Sequence, residues 1–166
     1  MQCPSQNLNQ PRRQKQSLKI ASLNIRGSGS GANNKWGSIN NLMKMRRIAI
    51  IAAQETHPTM EKQETLGRKF RNSLHFFHSA DPNEPGSQNE VTIALNKGLI
   101  KTKDVTVKMI IEGRVLMIDL PWNGEDKLRI VNIYAPVKNN EKKTFWEDLL
   151  QKLQNMDGPG PQLDHG

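Results

Sequence analysis

Between Val91 and Pro136 the chain passes through four β-type segments in succession: VTIALN (91–96), residues about 101–110, RVLMIDLPW (114–122) and KLRIVNIYAP (127–136). Short runs rich in Val, Ile and Leu, bounded by turn residues, read as strands. Asn123-Gly124 separates the last two. Both residue types tolerate the positive φ that a tight hairpin turn demands, so these strands are predicted to pair antiparallel. Such a block fixes a sheet but cannot bury it. An apolar sheet face has to be covered by another layer, and the rest of the chain must supply it.

The upstream residues alternate strand and helix signals. LKIASLNI (18–25) alternates apolar positions at a period of two, which predicts a strand buried on at least one face. Trp36, Ile39, Leu42 and Met43 recur at helical spacing, and Lys44, Arg46 and Arg47 place cations where the last turn's carbonyls attract them; a helix over 35–46 follows. IAIIAAQE (48–55) is a strand. Pro58 and Thr59 restart the chain into a helix over about 60–72 that turns Met60, Leu66 and Phe70 inward. HFFHSA (75–80) is a short strand, and 81–89 a surface loop. Phe145, Trp146, Leu149, Leu150 and Leu153 give a last helix near 141–155 its apolar face. The expected class is mixed α/β, a sheet packed under helices. GSGSGANN (27–34) is a loop, but it lacks the Gly-Lys-Ser/Thr ending of a nucleotide phosphate loop, which excludes that reading.

A chain of 166 residues suits one domain. The polar, Gln-rich and basic residues 1–17 are expected to be a disordered tail, residues 18–156 the folded domain, and 157–166 a second disordered tail. The formal net charge is +8, which favours polyanionic partners: nucleic acid first, an acidic membrane surface second. Cys3 is the only cysteine, so neither a disulfide framework nor a thiolate metal site can be built. No segment resembles a signal peptide or is long enough to span a bilayer, so the expectation is an intracellular protein with no membrane partner.

Three polar residues stand at or near the ends of apolar strands: Asn24 after IASL, Glu55 after IIAAQ and Tyr134 after IVNI. Each has an ordinary reading as a turn former, a solvated strand end or a packing residue. Together they have another, because strand ends on one side of a sheet are brought close by the fold. A carboxylate beside an amide makes a hard-cation site, and Mg²⁺ typically takes only one or two protein carboxylates plus phosphate and water.

SLNIRG, AAQETH, Gly113-Arg114 with Leu116, and NIYAP occur in this order along nearly all of the structured chain. Together they resemble the endonuclease/exonuclease/phosphatase superfamily, and most of all the apurinic-endonuclease-like domain of LINE-type (non-LTR) retrotransposons. The resemblance implies a DNase I-like fold, a four-layer α/β/β/α sandwich with mixed, mostly antiparallel sheets and flanking helices, of which this chain would supply the N-terminal portion. It implies metal-assisted hydrolysis of DNA phosphodiesters with Mg²⁺ (or Mn²⁺), and it allows a nuclear location. Glu55 falls where the family keeps its metal-binding glutamate, Asn24 where an asparagine supports that metal, and Tyr134 where a tyrosine contacts the scissile phosphate.

The match also has departures. Relatives continue into a Gly-Asp-Phe-Asn motif whose Asp orients the attacking water, and later into an Asp-His that supplies the catalytic histidine; neither is present before Gly166. Asp164-His165 belongs to a Pro/Gly-rich stretch and is not read as that pair. His57 reads as a strand-exit residue rather than a base, and His75 and His78 as structural or solvent-facing. Arg26 stands where apurinic endonucleases often carry an acidic residue, and GSQNEVTIALNK replaces the family's glycine-rich strand entry, where Glu90 is unexplained. A chain supplying about half of the fold is expected to leave an apolar sheet face uncovered. The alternative to an endonuclease is a catalytically inactive, basic nucleic-acid-binding remnant. A phosphatase or lipid phosphodiesterase branch ranks third.

Overall fold

The computed structural model describes residues 17–29, 34–57, 59–81, 83 and 90–157. The expected tails, apart from Ser17 and Asp157, most of the 81–89 loop, the middle of GSGSGANN, Pro58 and Asp164-His165 lie outside the described residues.

The strands are β1 (Lys19–Asn24), β2 (Ile48–Gln54), β3 (Leu74–Ser79), β4 (Val91–Asn96), β5 (Thr106–Ile111), β6 (Val115–Trp122) and β7 (Asp126–Ile133). The helices are α1 (Lys35–Arg46), α2 (Met60–Lys69) and α3 (Asn139–Asp157), and a 3₁₀ turn at Thr102–Asp104 precedes β5. Two sheets form, one ordered β1-β2-β4-β3 and the other β5-β6-β7. β1 and β2 run parallel, and the remaining pairings are antiparallel. As expected, β6 and β7 make a hairpin whose turn holds Asn123 at φ 44 and Gly124 at φ 88.

Three apolar clusters stack these elements into four layers, helix–sheet–sheet–helix. Trp36, Ile39, Met43, Leu66 and Phe70 pack α1, α2 and the turn after α2 onto Ile51, Ala53, Leu74 and Ala94 of the first sheet. Ile50, Val91, Ile93 and Leu95 meet Leu116, Ile118 and Leu120 between the sheets. Phe145 and Leu149 of α3 close the outer face of the second sheet over Ile110, Val115 and Met117. The sandwich expected from the resemblance is therefore present. The expectation of an uncovered apolar sheet face holds in part: the sheets cover each other's central strands and helices cover the outer faces, but Val107 and Met109 of β5, on the face of the buried Leu116 and Ile118, stay exposed.

Smaller corrections concern which residues face inward. β1 is an edge strand, and Ile20 on its inter-sheet face and Leu23 on its helix face stay 45% and 38% exposed. Met60, Leu42, Trp146 and Leu150 are exposed too. α2 ends at Lys69 rather than near 72, so Met60 lies at its first residue, off the packed stripe that Leu66 and Phe70 form. VTIALN joins the first sheet between β2 and β3, not the strands that follow it in sequence. It is buried at every position, as a central strand with both faces covered must be.

Candidate active site

Parallel pairing brings the C-terminal ends of β1 and β2 to one rim, with Asn24 opposite Gln54. The loops leaving them are laced together: Ile25 N donates to Gln54 O at 3.0 Å, and Gly27 N donates to Glu55 O at 2.6 Å. Lys35, at the start of α1, donates through Nζ to Ile25 O at 2.6 Å and to Arg26 O at 3.3 Å. Arg26, Glu55 and His57 all adopt positive φ, 46°, 54° and 49°. Non-glycine residues rarely accept this, and such strain collects where a fold must aim particular side chains.

The side chains converge there. Asn24 Nδ2 donates to Glu55 Oε1 at 2.7 Å, and the Tyr134 hydroxyl donates to the same oxygen at 3.0 Å. Both bonds fall on Oε1, and Oε2 takes part in neither. Asn24 Oδ1 accepts from Arg26 N at 3.1 Å, which fixes the orientation of the amide. Tyr134 is held from behind by its backbone: its N donates to Arg114 O at 2.8 Å, and Arg114 Nη1 donates to Tyr134 O at 3.3 Å.

Electrostatics follow from these contacts. The Asn24 hydrogen bond, aided by Tyr134 and the charges of Arg26 and His57, outweighs desolvation and holds the Glu55 carboxyl below its ordinary range. Burial, then the bond to Glu55, raises the Tyr134 phenol above 10.0 despite the opposing charge of Arg114. At neutral pH the pair is therefore a carboxylate and a protonated phenol, the forms their hydrogen bond requires.

Beneath the rim lie polar residues that sequence reasoning missed. Asn132 is 1% exposed. Its Nδ2 donates to Ala53 O at 2.9 Å and Thr92 O at 3.0 Å, and its Oδ1 accepts from Gln54 Nε2 at 2.7 Å. Gln54 also reaches Ser22 Oγ at 3.1 Å. On the far side of the same sheet, Thr92 Oγ1 donates to Thr56 Oγ1 at 2.9 Å and lies 2.8 Å from His78 Nδ1. The available signal was a polar residue in an apolar phase: Asn132 follows Leu128 and Ile130 on the inner face of β7.

The other candidates are placed as follows. His57 follows the strained turn, near enough to Glu55 for its charge to lower that carboxyl. His75 lies on β3 with its ring edge-on to Phe77 at 4.7 Å. His78 joins the hydroxyl chain through Thr92, the structural one of its two readings. Gly113 takes φ 70 and donates to Ser79 Oγ at 2.9 Å, tying the β5–β6 turn to β3, and Leu116 is core. Glu90 is fully buried, and its carbonyl accepts from Thr56 N at 3.2 Å.

Among the described residues, no group of three or more His, Cys, Asp or Glu gathers as a metal cluster. The donor set at the rim still fits a hard divalent cation, for which a single oriented carboxylate with oxygen-bearing neighbours suffices. Among the described residues, no helix is long and apolar enough to cross a membrane.

No protein-family model matches the chain, and no curated protein matches it significantly. Solved structures do. The AP endonuclease LMAP from Leishmania major is 14% identical with a TM-score of 0.66, over 84% of this chain and 49% of that one. An AP endonuclease from Archaeoglobus fulgidus is 22% identical with a TM-score of 0.59, over 84% and 52%. TDP2 from D. rerio, complexed with single strand DNA product, is 18% identical with a TM-score of 0.59, over 86% and 56%. The chain thus spans about half the length of the structures it matches. What is shared at this level is the fold: two stacked sheets between helices, the DNase I-like arrangement of the AP endonucleases.

Proposed function

We propose that the chain is a divalent-metal-dependent phosphodiester hydrolase domain, a DNA endonuclease of LINE-like retroelement origin. The observation that carries this reading is the convergence of Asn24 and Tyr134 on one oxygen of Glu55 at the rim of the sandwich. The fold shared with AP endonucleases and TDP2 supports it.

Glu55 would hold Mg²⁺ or Mn²⁺ through the oxygen that neither neighbour engages, and Asn24 would orient the carboxylate. When bound, the cation supplies Lewis-acid neutralisation of charge developing on the phosphate. The protein's own part is positional. Asn24 keeps Glu55 ionised and pointing outward, and the protonated Tyr134 has a hydroxyl free to turn from Glu55 to a phosphate oxygen. Arg26 and Arg114 add positive charge beside that path, and the net charge of +8 holds the DNA backbone in a salt-dependent way. The sequence contains no Gly-Asp-Phe-Asn motif to orient the attacking water. Turnover is therefore the deciding measurement. Purified protein should nick supercoiled plasmid in Mg²⁺, and both chelator and Glu55→Ala should abolish nicking. Nicking that survives Glu55→Ala refutes the assignment.

The same charge supports a second reading, a non-catalytic nucleic-acid-binding remnant. That reading predicts salt-sensitive DNA retention with no nicking, indifferent to Glu55→Ala and to chelator.

A further inference from the structure

We infer that Asn132 is the positioning residue of this site, an amide staple between the sheets that sets the reach of Tyr134 to Glu55. The inference deepens the reading above and rests on it for its catalytic meaning, but its geometry stands by itself. Ala53 and Thr92 face each other across the β2–β4 seam, and Asn132 Nδ2 donates one hydrogen to each of their carbonyls. The second sheet is thereby pinned to a defined point of the first. Glu55 stands two residues past Ala53, just after β2, and Tyr134 two residues past Asn132, just after β7. Both functional groups therefore sit the same two residues past one shared anchor. Their meeting at 3.0 Å is the consequence.

No apolar residue of similar volume does this work. Apolar contacts between the sheets, such as Leu128 and Ile130 against Ile93 and Leu95, tolerate sliding because they are not directional. A hydrogen-bonded amide does not, since bonds weaken steeply with misalignment. Asn132 satisfies both N–H groups and its oxygen at once, the oxygen through Gln54, whose next residue in the chain is Glu55. The staple thus constrains both strands that carry the pair.

The test is the Tyr134–Glu55 distance itself. In crystals of Asn132→Leu, shown by circular dichroism to be folded, the Tyr134 hydroxyl should withdraw from Glu55 Oε1 beyond hydrogen-bond range, against 3.0 Å in the wild type. Asn132→Thr keeps one donor and a strand-compatible shape; it should fold where Leu does not and separate the pair less. Leu128→Ala removes packing from the same strand face and should destabilise the protein without separating the pair. Nicking, measured alongside, should weaken in the order in which the pair separates. An unchanged distance in folded Asn132→Thr or Asn132→Leu overturns the staple whatever the nicking shows. Separation that follows Asn132 in a protein that never nicks sustains the staple and overturns the hydrolase.

Discussion

Acid should loosen this protein from the β3 side, and the size of the effect can be worked from one histidine. His78 keeps a partly exposed edge, but protein atoms surround most of its ring, which stacks on Phe76 at 5.7 Å and 11°. His78 Nδ1 lies 2.8 Å from Thr92 Oγ1, a hydrogen bond that the neutral imidazole can make. Burial lowers its pKa from 6.5 to about 4. A tenfold loss of proton affinity corresponds to about 1.4 kcal/mol, so the site's preference for the neutral ring amounts to about 3 kcal/mol. Between these two values the unfolded chain binds a proton that the folded chain refuses. The contribution is fully present above pH 6.5 and is lost as the pH falls toward 4.

Urea denaturation followed by tryptophan fluorescence, at steps between about pH 7 and pH 4, reads this directly. Wild type should lose about 3 kcal/mol more than His78→Gln over that window. His75, also lowered chiefly by burial, and the depressed carboxyls of Glu55 and Asp119 remain in both proteins and cancel in the difference. Stabilities that fall in parallel refute the reasoning. The functional consequence is local, because Thr56 follows Glu55 and its hydroxyl and N–H both anchor the turn that presents the carboxylate.

Trp36 is fully buried between α1 and the first sheet and meets Phe76 edge-on at 4.9 Å. Trp36→Ala should cost about 3–5 kcal/mol in urea denaturation, the range for emptying a large aromatic site. Gly124 sits at φ 88 in the β6–β7 turn, where a Cβ would meet no atom within 4 Å. Gly124→Val should therefore lose about 1–3 kcal/mol from backbone strain alone, with plasmid nicking unchanged at a temperature where the variant stays folded.

Much of this architecture was legible in the residues. α1 ends where its spacing and terminal cations place it, and Asn123-Gly124 makes its hairpin. The sheet partition was not legible. VTIALN is apolar at every position but Thr92 and Asn96, which marks a central strand but says nothing about which sheet holds it. Ile20 and Leu23 sit in a run patterned as if buried, yet burial depends on what lies opposite β1, a long-range fact that periodicity does not carry. The three residues at the rim could be listed from the sequence because each is polar at the end of an apolar run. Their hydrogen bonds could not, because they depend on which strands pair and on how the sheet before Tyr134 stacks on the one before Glu55.

The turn at Glu55 shows why such a rim is hard to read and how it is held. A glycine would take φ 54 at no steric cost, but it would leave the strand end without a carboxylate. Glutamate there, like Arg26 and His57 beside it, is strained by roughly 1–3 kcal/mol per residue. Short backbone bonds hold the two loops together against that strain, Gly27 N to Glu55 O at 2.6 Å and Ile25 N to Gln54 O at 3.0 Å. β2 and β4, buried beneath the rim, give those bonds a rigid base. Strain at three neighbouring side-chain-bearing positions, over a rigid base, collects where a fold must aim particular side chains. Here it presents Glu55, whose Oε1 accepts from Asn24 and Tyr134.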